Sequence, residues 1–128
     1  MLDTNVIVAA FAARGICAEV FEVCVSSLTL VTSEHILAEV KSAFRKKLKL
    51  PKEIIHDVID YLKNVAETVE PDQIDKSVCR DEHDLPIIGT ATKGNAAFIV
   101  TGDADLLALK RYQGIDIMTP RELWNRLR

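Results

Sequence analysis

Aromatic residues are scarce in this chain: four Phe, two Tyr and one Trp among 128 residues. That is too few to build the stacked platforms that hold single-stranded nucleic acid without sequence preference. Glycine and proline are also few, at five and four, and follow no period, which excludes collagen-like and low-complexity structure. The three cysteines, Cys17, Cys24 and Cys79, are odd in number and irregularly spaced. Neither a disulfide framework nor a zinc motif fits them, and buried thiols are expected. No apolar run approaches the ~20 residues of a membrane-spanning helix, and the opening segment MLDTNVIVAAFAARG lacks the basic n-region of a secretory signal. A soluble protein of the cytoplasm, with no membrane partner, is the expectation. Charge of one sign is missing too: 16 basic against 19 acidic residues leave a net charge of −3, so only local clustering can attract nucleic acid.

What the chain has in quantity is aliphatic side chain. Hydrophobic residues make up 48% of it, which excludes disorder and, at this length, predicts a single domain over residues 1–128 around one core. Strand-like and helix-like stretches alternate. The start around Leu2 reads as a short strand that passes, at Asp3, Thr4 and Asn5, into a helix reaching Ala13, and a second helix runs from Gly15 to about Ser26. Leu28–Thr32 reads as a buried strand, and Ser33 as the N-cap of a helix with Ile36, Leu37, Val40, Phe44 and Leu48 at helical spacing. Lys52 to about Ala66 forms the clearest amphipathic helix, with Ile54, Ile55, Val58, Ile59, Leu62 and Val65 on one face. A strand at Thr68–Glu70, a polar loop from Pro71 to His83 and a helix from Pro86 to Lys93 follow, the last with Gly94-Asn95 as a left-handed exit. Ala97–Thr101 and Ile115–Met118 are strands separated by a helix carrying Leu106, Leu107 and Leu109, and Pro120 opens the C-terminal helix. The alternation predicts an α/β fold, a three-layer α/β/α sandwich with a central, mainly parallel sheet.

In such a sheet, ligands bind beyond the C-terminal ends of the strands. Asp3 follows the first strand, Asp103 follows AFIVTG, and Asp84 opens a helix after a loop. Glu39 falls beside Ile36 and Ala43, at the edge of its helix's apolar face, where a half-buried acid needs a partner. Taken one at a time, these residues have ordinary explanations: the three Asp serve as N-caps, and Glu39 pairs with His35 one turn earlier. Taken together, carboxylates converging on one sheet edge repel one another unless a cation holds them, and oxygen donors without a His or Cys cluster suit Mg²⁺ or Mn²⁺ rather than zinc.

The segments MLDTNVIVAAF, SEHILAEV, RDEHDLPIIGTA and FIVTGDADLL resemble, in that order, the four acidic motifs of PIN-domain ribonucleases, and within that family the VapC-related toxin components of toxin–antitoxin pairs. The resemblance covers nearly the whole chain. It implies that Asp3, Glu39, Asp84 and Asp103 are the catalytic, metal-binding carboxylates. Asp105 is a further metal ligand or the alternative to Asp103, or else only an acid in the first turn of its helix. Asp81 is a flanking acid or a solvated loop charge, and Asn5 and Thr101 orient the carboxylates or a bound water. It also implies an endoribonuclease dependent on Mg²⁺ or Mn²⁺, with RNA as substrate, a cognate antitoxin as partner and a homodimer as the assembly. Only Met1 and Leu2 precede Asp3, so either the first strand is short or the start codon has been assigned late.

A negative pocket repels RNA, so something basic must hold the substrate. Lys41, Arg45, Lys46, Lys47, Lys49 and Lys52 lie between Glu39 and Glu53 with no acid among them. They form either the solvated end of a helix, where cations complement the dipole, or a phosphate-contacting flank, with Lys41, Arg45, Lys46 and Lys49 as the RNA-binding candidates. His35 and His56 read as surface residues. His83 adjoins Asp84 and is placed to contact substrate or metal. No phosphate-binding glycine loop occurs, so a nucleotide cofactor is not expected. Two rival functions fit the same fold: a PIN-like module that binds RNA or protein without cutting, and a phosphatase of haloacid-dehalogenase type. The phosphatase needs a second Asp where this chain has Asn5.

Overall fold

The computed structural model describes residues 1–127. The chain enters it in extended form. Val100 N–H donates to the Met1 carbonyl and Asp3 N–H to that of Val100, both at 2.9 Å, which makes Leu2 a single parallel bridge to Val100. Asp3 then caps helix α1 (Thr4–Ala12), and α2 (Ile16–Ser27) and strand β1 (Leu30–Thr32) follow. Ser33 caps α3 (Glu34–Lys46), its hydroxyl accepting from Ile36 N–H. Pro51, with its φ preset for a helix start, precedes α4 (Lys52–Val65), which passes directly into β2 (Ala66–Thr68). A long loop and a 3₁₀ turn at Glu82–Asp84 lead into α5 (Leu85–Lys93), and then come β3 (Phe98–Val100), α6 (Ala104–Leu109), β4 (Arg111–Tyr112), β5 (Ile115–Met118) and α7 (Pro120–Leu127).

β1 and β2 run parallel with Leu30 opposite Ala66, and β3 and β5 run parallel with Phe98 opposite Asp116. β4 joins β5 from the other side, antiparallel. The result is a mixed α/β fold with parallel strands, which fits the α/β/α sandwich. The sheet is not one continuous ladder, however. It divides into β1–β2 and β3–β5–β4, with Leu2 adding one parallel bridge to Val100 of the second group. β2 begins earlier than the 68–70 expected from sequence, although Val69 N–H still reaches the Thr32 carbonyl at 2.9 Å and carries the pairing into that stretch. β4 escapes sequence reading because the turn at Gln113 and Gly114, both at positive φ, lacks the Asn-Gly pair that advertises such hairpins. The left-handed residue after α5 is Asn95, at φ 52, and not Gly94.

The core gathers Ile36, Val40 and Phe44 of α3 with Ile88, Ile99 and Leu106, all fully buried. Gly89 on α5 is required by close approach, since a Cβ there would overlap the carbonyl oxygen of Asp72, whose N–H donates back to Gly89 O at 3.0 Å. The apolar face of α4 is only partly used. Ile55 and Leu62 are buried, whereas Ile54 is 48% exposed, because α4 rests mainly on α3 and turns Ile54 outward. Among the described residues the three cysteines are free thiols, Cys24 and Cys79 buried and Cys17 partly so, and no helix is long and apolar enough to cross a membrane.

Candidate active site

Four carboxylates from distant stretches of the chain line one open cleft of about 320 Å³: Asp3, Glu39, Asp84 and Asp103. Two of them are helix caps, as their sequence positions allow. Asp3 sits at the N-terminus of α1, its Oδ1 accepting from Thr4 N–H at 2.7 Å. Asp103 caps α6, its Oδ2 accepting from Leu106 N–H at 3.0 Å. The capping explanation and the site explanation therefore hold together: an acid that satisfies the orphan N–H groups of a helix start is also held in a fixed pose.

Threonines tie the acids to one another. Thr101, fully buried at the end of β3, donates its hydroxyl to Asp3 Oδ2 at 2.7 Å and accepts from Asp103 N–H at 3.0 Å. Thr4 donates its hydroxyl to Glu39 Oε1 at 2.8 Å, and His35 Nε2 lies 3.4 Å from the same oxygen. The half-buried Glu39 thus has the His35 neighbour expected from sequence and a second partner that sequence reading missed. No short-range signal could have revealed Thr4, because the two residues lie on different helices and meet only through tertiary packing.

Asp84 is held differently. It ends the 3₁₀ turn, and its side chain caps nothing. Its nearest donor is the buried Cys79 thiol, 3.9 Å from Oδ2, a weak partner at best. Burial, then the adjacent Asp103 and the charges of Asp81 and Asp3, push its carboxyl up to about 7. Asp3 is also pushed above the ordinary carboxylate range, by burial first, with the bonds from Thr101 and Thr4 opposing the shift. The buried hydroxyls of Thr90 on α5 and Ser33 at the start of α3 lie 2.9 Å apart, a bond that joins the helix opened by Asp84 to the one bearing Glu39.

The remaining candidates divide. Asn5 lines the cleft and is exposed. Asp105 does not line it. It stands with Asp81 and Asp84, the three offering carboxylate oxygens within 4.8 Å of one another, so Asp84 belongs to both groups of acids. Asp81 also accepts from His83 N–H at 2.9 Å, which closes the 3₁₀ turn, and His83 lines the cleft. Of the basic block, Lys46 and Lys47 line the cleft, while Lys41, Arg45 and Lys49 do not. Helical spacing explains the selection. Glu39, Ser42, Ala43, Lys46 and Lys47 fall on one stripe of α3 and its first following residue, while Lys41 and Arg45 are turned away from it. Lys47 is therefore a residue that counting from Glu39 would have found.

The cleft gathers hard oxygen donors of the kind a divalent cation takes and is open to solvent, and among the described residues those with oxygens within 4.8 Å of one another are Asp81, Asp84 and Asp105. Asp84 and Asp3 are raised first by burial and then by neighbouring acids, and a bound cation would favour their charged forms. A family model described as a PIN domain matches residues 1–105, a stretch that contains all four acids of the cleft. No curated protein matches the chain significantly.

Proposed function

The chain belongs to the PIN domain family, and from that premise we propose that it is a single-domain, metal-dependent endoribonuclease. PIN domains are generally nucleases, they typically bind divalent metal, and PIN nucleases act on RNA. The observation that carries the reading for this chain is the convergence of Asp3, Glu39, Asp84 and Asp103 in one cleft beside Lys46 and Lys47. In this reading the four acids hold Mg²⁺ or Mn²⁺, with Asp105 and Asp81 as further acids on the Asp84 side. When bound, the cation lowers the pKa of a water and offsets charge on the phosphodiester, which is the chemistry of metal-assisted hydrolysis. The chain's own side chains do the rest. Thr101 and Thr4 fix the carboxylates, Asn5, exposed in the first turn of α1, orients a water or an acid, and Lys46 and Lys47 bind the RNA backbone at the cleft wall. Lys41, Arg45 and Lys49 extend the attraction over a longer range.

Within the same proposal the protein is the toxin of a toxin–antitoxin pair in the cytoplasm, restrained by a cognate antitoxin and assembled as a homodimer. Exposed apolar side chains support a protein partner: Phe11 on α1 and Tyr61 on α4 stack edge to face with ring centroids 6.4 Å apart, and Ile54 lies exposed on the same helix as Tyr61.

The test is cleavage of a labelled RNA panel in Mg²⁺, Mn²⁺ or EDTA by the purified protein and its Asp84→Asn variant. Metal-dependent cutting that the variant loses is the expected result. A folded protein, free of antitoxin, that cuts under no metal overturns the nuclease and leaves a PIN-like module that binds RNA or protein.

A further inference from the structure

We infer that Thr4 is a positioning residue of the cleft, its hydroxyl holding Glu39 so that one carboxylate oxygen stays presented for a divalent cation. This rests on the reading of the cleft as a cation site. Thr4 is buried and makes two bonds to two acids: its N–H to Asp3 Oδ1 at 2.7 Å and its hydroxyl to Glu39 Oε1 at 2.8 Å. A hydroxyl has one proton to give, and here it goes to Glu39. Both protein partners of Glu39, Thr4 and His35, fall on Oε1, so among the described residues Oε2 has no hydrogen-bond partner.

The consequence extends beyond Glu39. Glu39, Thr4, Asp3, Thr101 and Asp103 form an unbroken chain of hydrogen bonds across α3, α1, the end of β3 and the start of α6. The Glu39 and Asp3 carboxylates are thereby fixed before any cation arrives, and Asp103, which joins the chain through its backbone N–H, has its own carboxylate held by Leu106 N–H, at a cost in conformational entropy met during folding and not during binding. Glu39 needs this most. It has the longest side chain of the three acids, it lies part-way along a helix where no backbone N–H is free to fix it, and without Thr4 only His35 would restrain it.

The experiment compares Thr4→Val, which keeps the shape and removes the hydroxyl, with Thr4→Ser, which keeps the hydroxyl and removes a buried methyl. Mn²⁺ affinity, read by electron paramagnetic resonance, is expected to fall ~10- to 100-fold in the Val variant, as when partners of metal ligands are removed elsewhere. The Ser variant is expected to stay close to wild type even where its melting temperature drops as far as that of the Val variant, so affinity separates from stability. Wild-type affinity in the Val variant, or equal loss in both, overturns the proposal. If the wild-type protein takes up no Mn²⁺, the cation reading fails by itself, and NMR relaxation of the Glu39 side chain decides the positioning role. Mobility gained in Val and not in Ser upholds it, and a Glu39 equally ordered in all three proteins overturns it.

Discussion

The two walls of the cleft hold their acids in opposite ways. On one wall, Asp3, Glu39 and Asp103 are tied by helix N–H groups and by Thr4 and Thr101. On the other, Asp84 has a weak thiol neighbour, with Asp103 adjacent and two further acids, Asp81 and Asp105, within reach. Donors lower the cost of a buried negative charge, and neighbouring acids raise it. Burial first, and then the neighbouring acids, push the Asp84 carboxyl up to about 7, while Asp3, which has donors, is also raised but with those bonds opposing the shift. One wall is tied by donors before a cation arrives, and the other, at Asp84, is where the carboxyl is raised to about 7 and a proton competes most with a cation.

The largest expected effect tests the untied wall directly. Asp84→Asn should lower RNA cleavage by ~10²–10³-fold or more, the usual loss when a fixed electrostatic contributor to the transition state is removed, and rate measurement under saturating metal checks it. A variant that cuts normally would remove Asp84 from the reaction.

Stability should separate the walls next. Asp103→Ala deletes the cap of α6 and should cost ~0.5–2 kcal/mol in denaturant unfolding. Thr101→Val leaves the buried Asp3 short of a donor and should cost ~1–3 kcal/mol. Asp84→Asn should instead stabilise the metal-free protein at pH 8, because it removes charge without removing a cap. Equal destabilisation by all three would erase the distinction between the walls.

The pH dependence has a fixed sign. With Asp84 held at about 7 in the folded state, the native protein keeps a proton that the unfolded chain releases near the ordinary carboxylate pKa. The resulting stability is complete below about 4 and is lost as pH rises through about 7. Metal-free protein should therefore melt at progressively lower temperature across that window, and added Mg²⁺ should raise the melting temperature more at pH 8 than at pH 5.5. A melting temperature insensitive to pH in wild type, and unchanged by Asp84→Asn, would contradict the raised carboxyl at Asp84.

The smallest effect concerns the basic flank. Replacing Lys46 and Lys47 by Ala should reduce the salt dependence of RNA binding by ~0.7 in logarithmic slope for each phosphate that is no longer neutralised. The same replacement at Lys41 and Arg45, which do not line the cleft, should change it less. Equal slopes in the two double variants would return the whole block to a diffuse surface charge.

Much of this was legible in the residues. The helix starts at Ser33, Pro51 and Pro120 carry local chemistry that acts wherever the chain goes, and Asp3, Asp84 and Asp103 stand where strands or loops hand over to helices. Glu39 betrayed itself as an acid at the edge of an apolar face. What failed to show was whatever depended on more than one segment. The basic block was one charge run in sequence, but the turn of α3 brings only Lys46 and Lys47 to the cleft. Asp105 was a rival to Asp103 in the sequence, and the start of α6 sends it instead toward Asp81 and Asp84. Ile54 belonged to an apolar face that the fold leaves partly uncovered.

By itself, the sequence determined the element types other than β4, the alternation that makes an α/β fold and the acids placed at element ends. Backbone preference, capping and hydrophobic period act over a few residues, so they can be read from a few residues. The tertiary structure alone decided which acids share donors and which one burial and its neighbours push furthest. Hydrogen bonds such as Thr4 to Glu39 and Thr101 to Asp3 join parts of the chain that only packing brings within reach, and a buried carboxylate takes its pKa from what surrounds it in space.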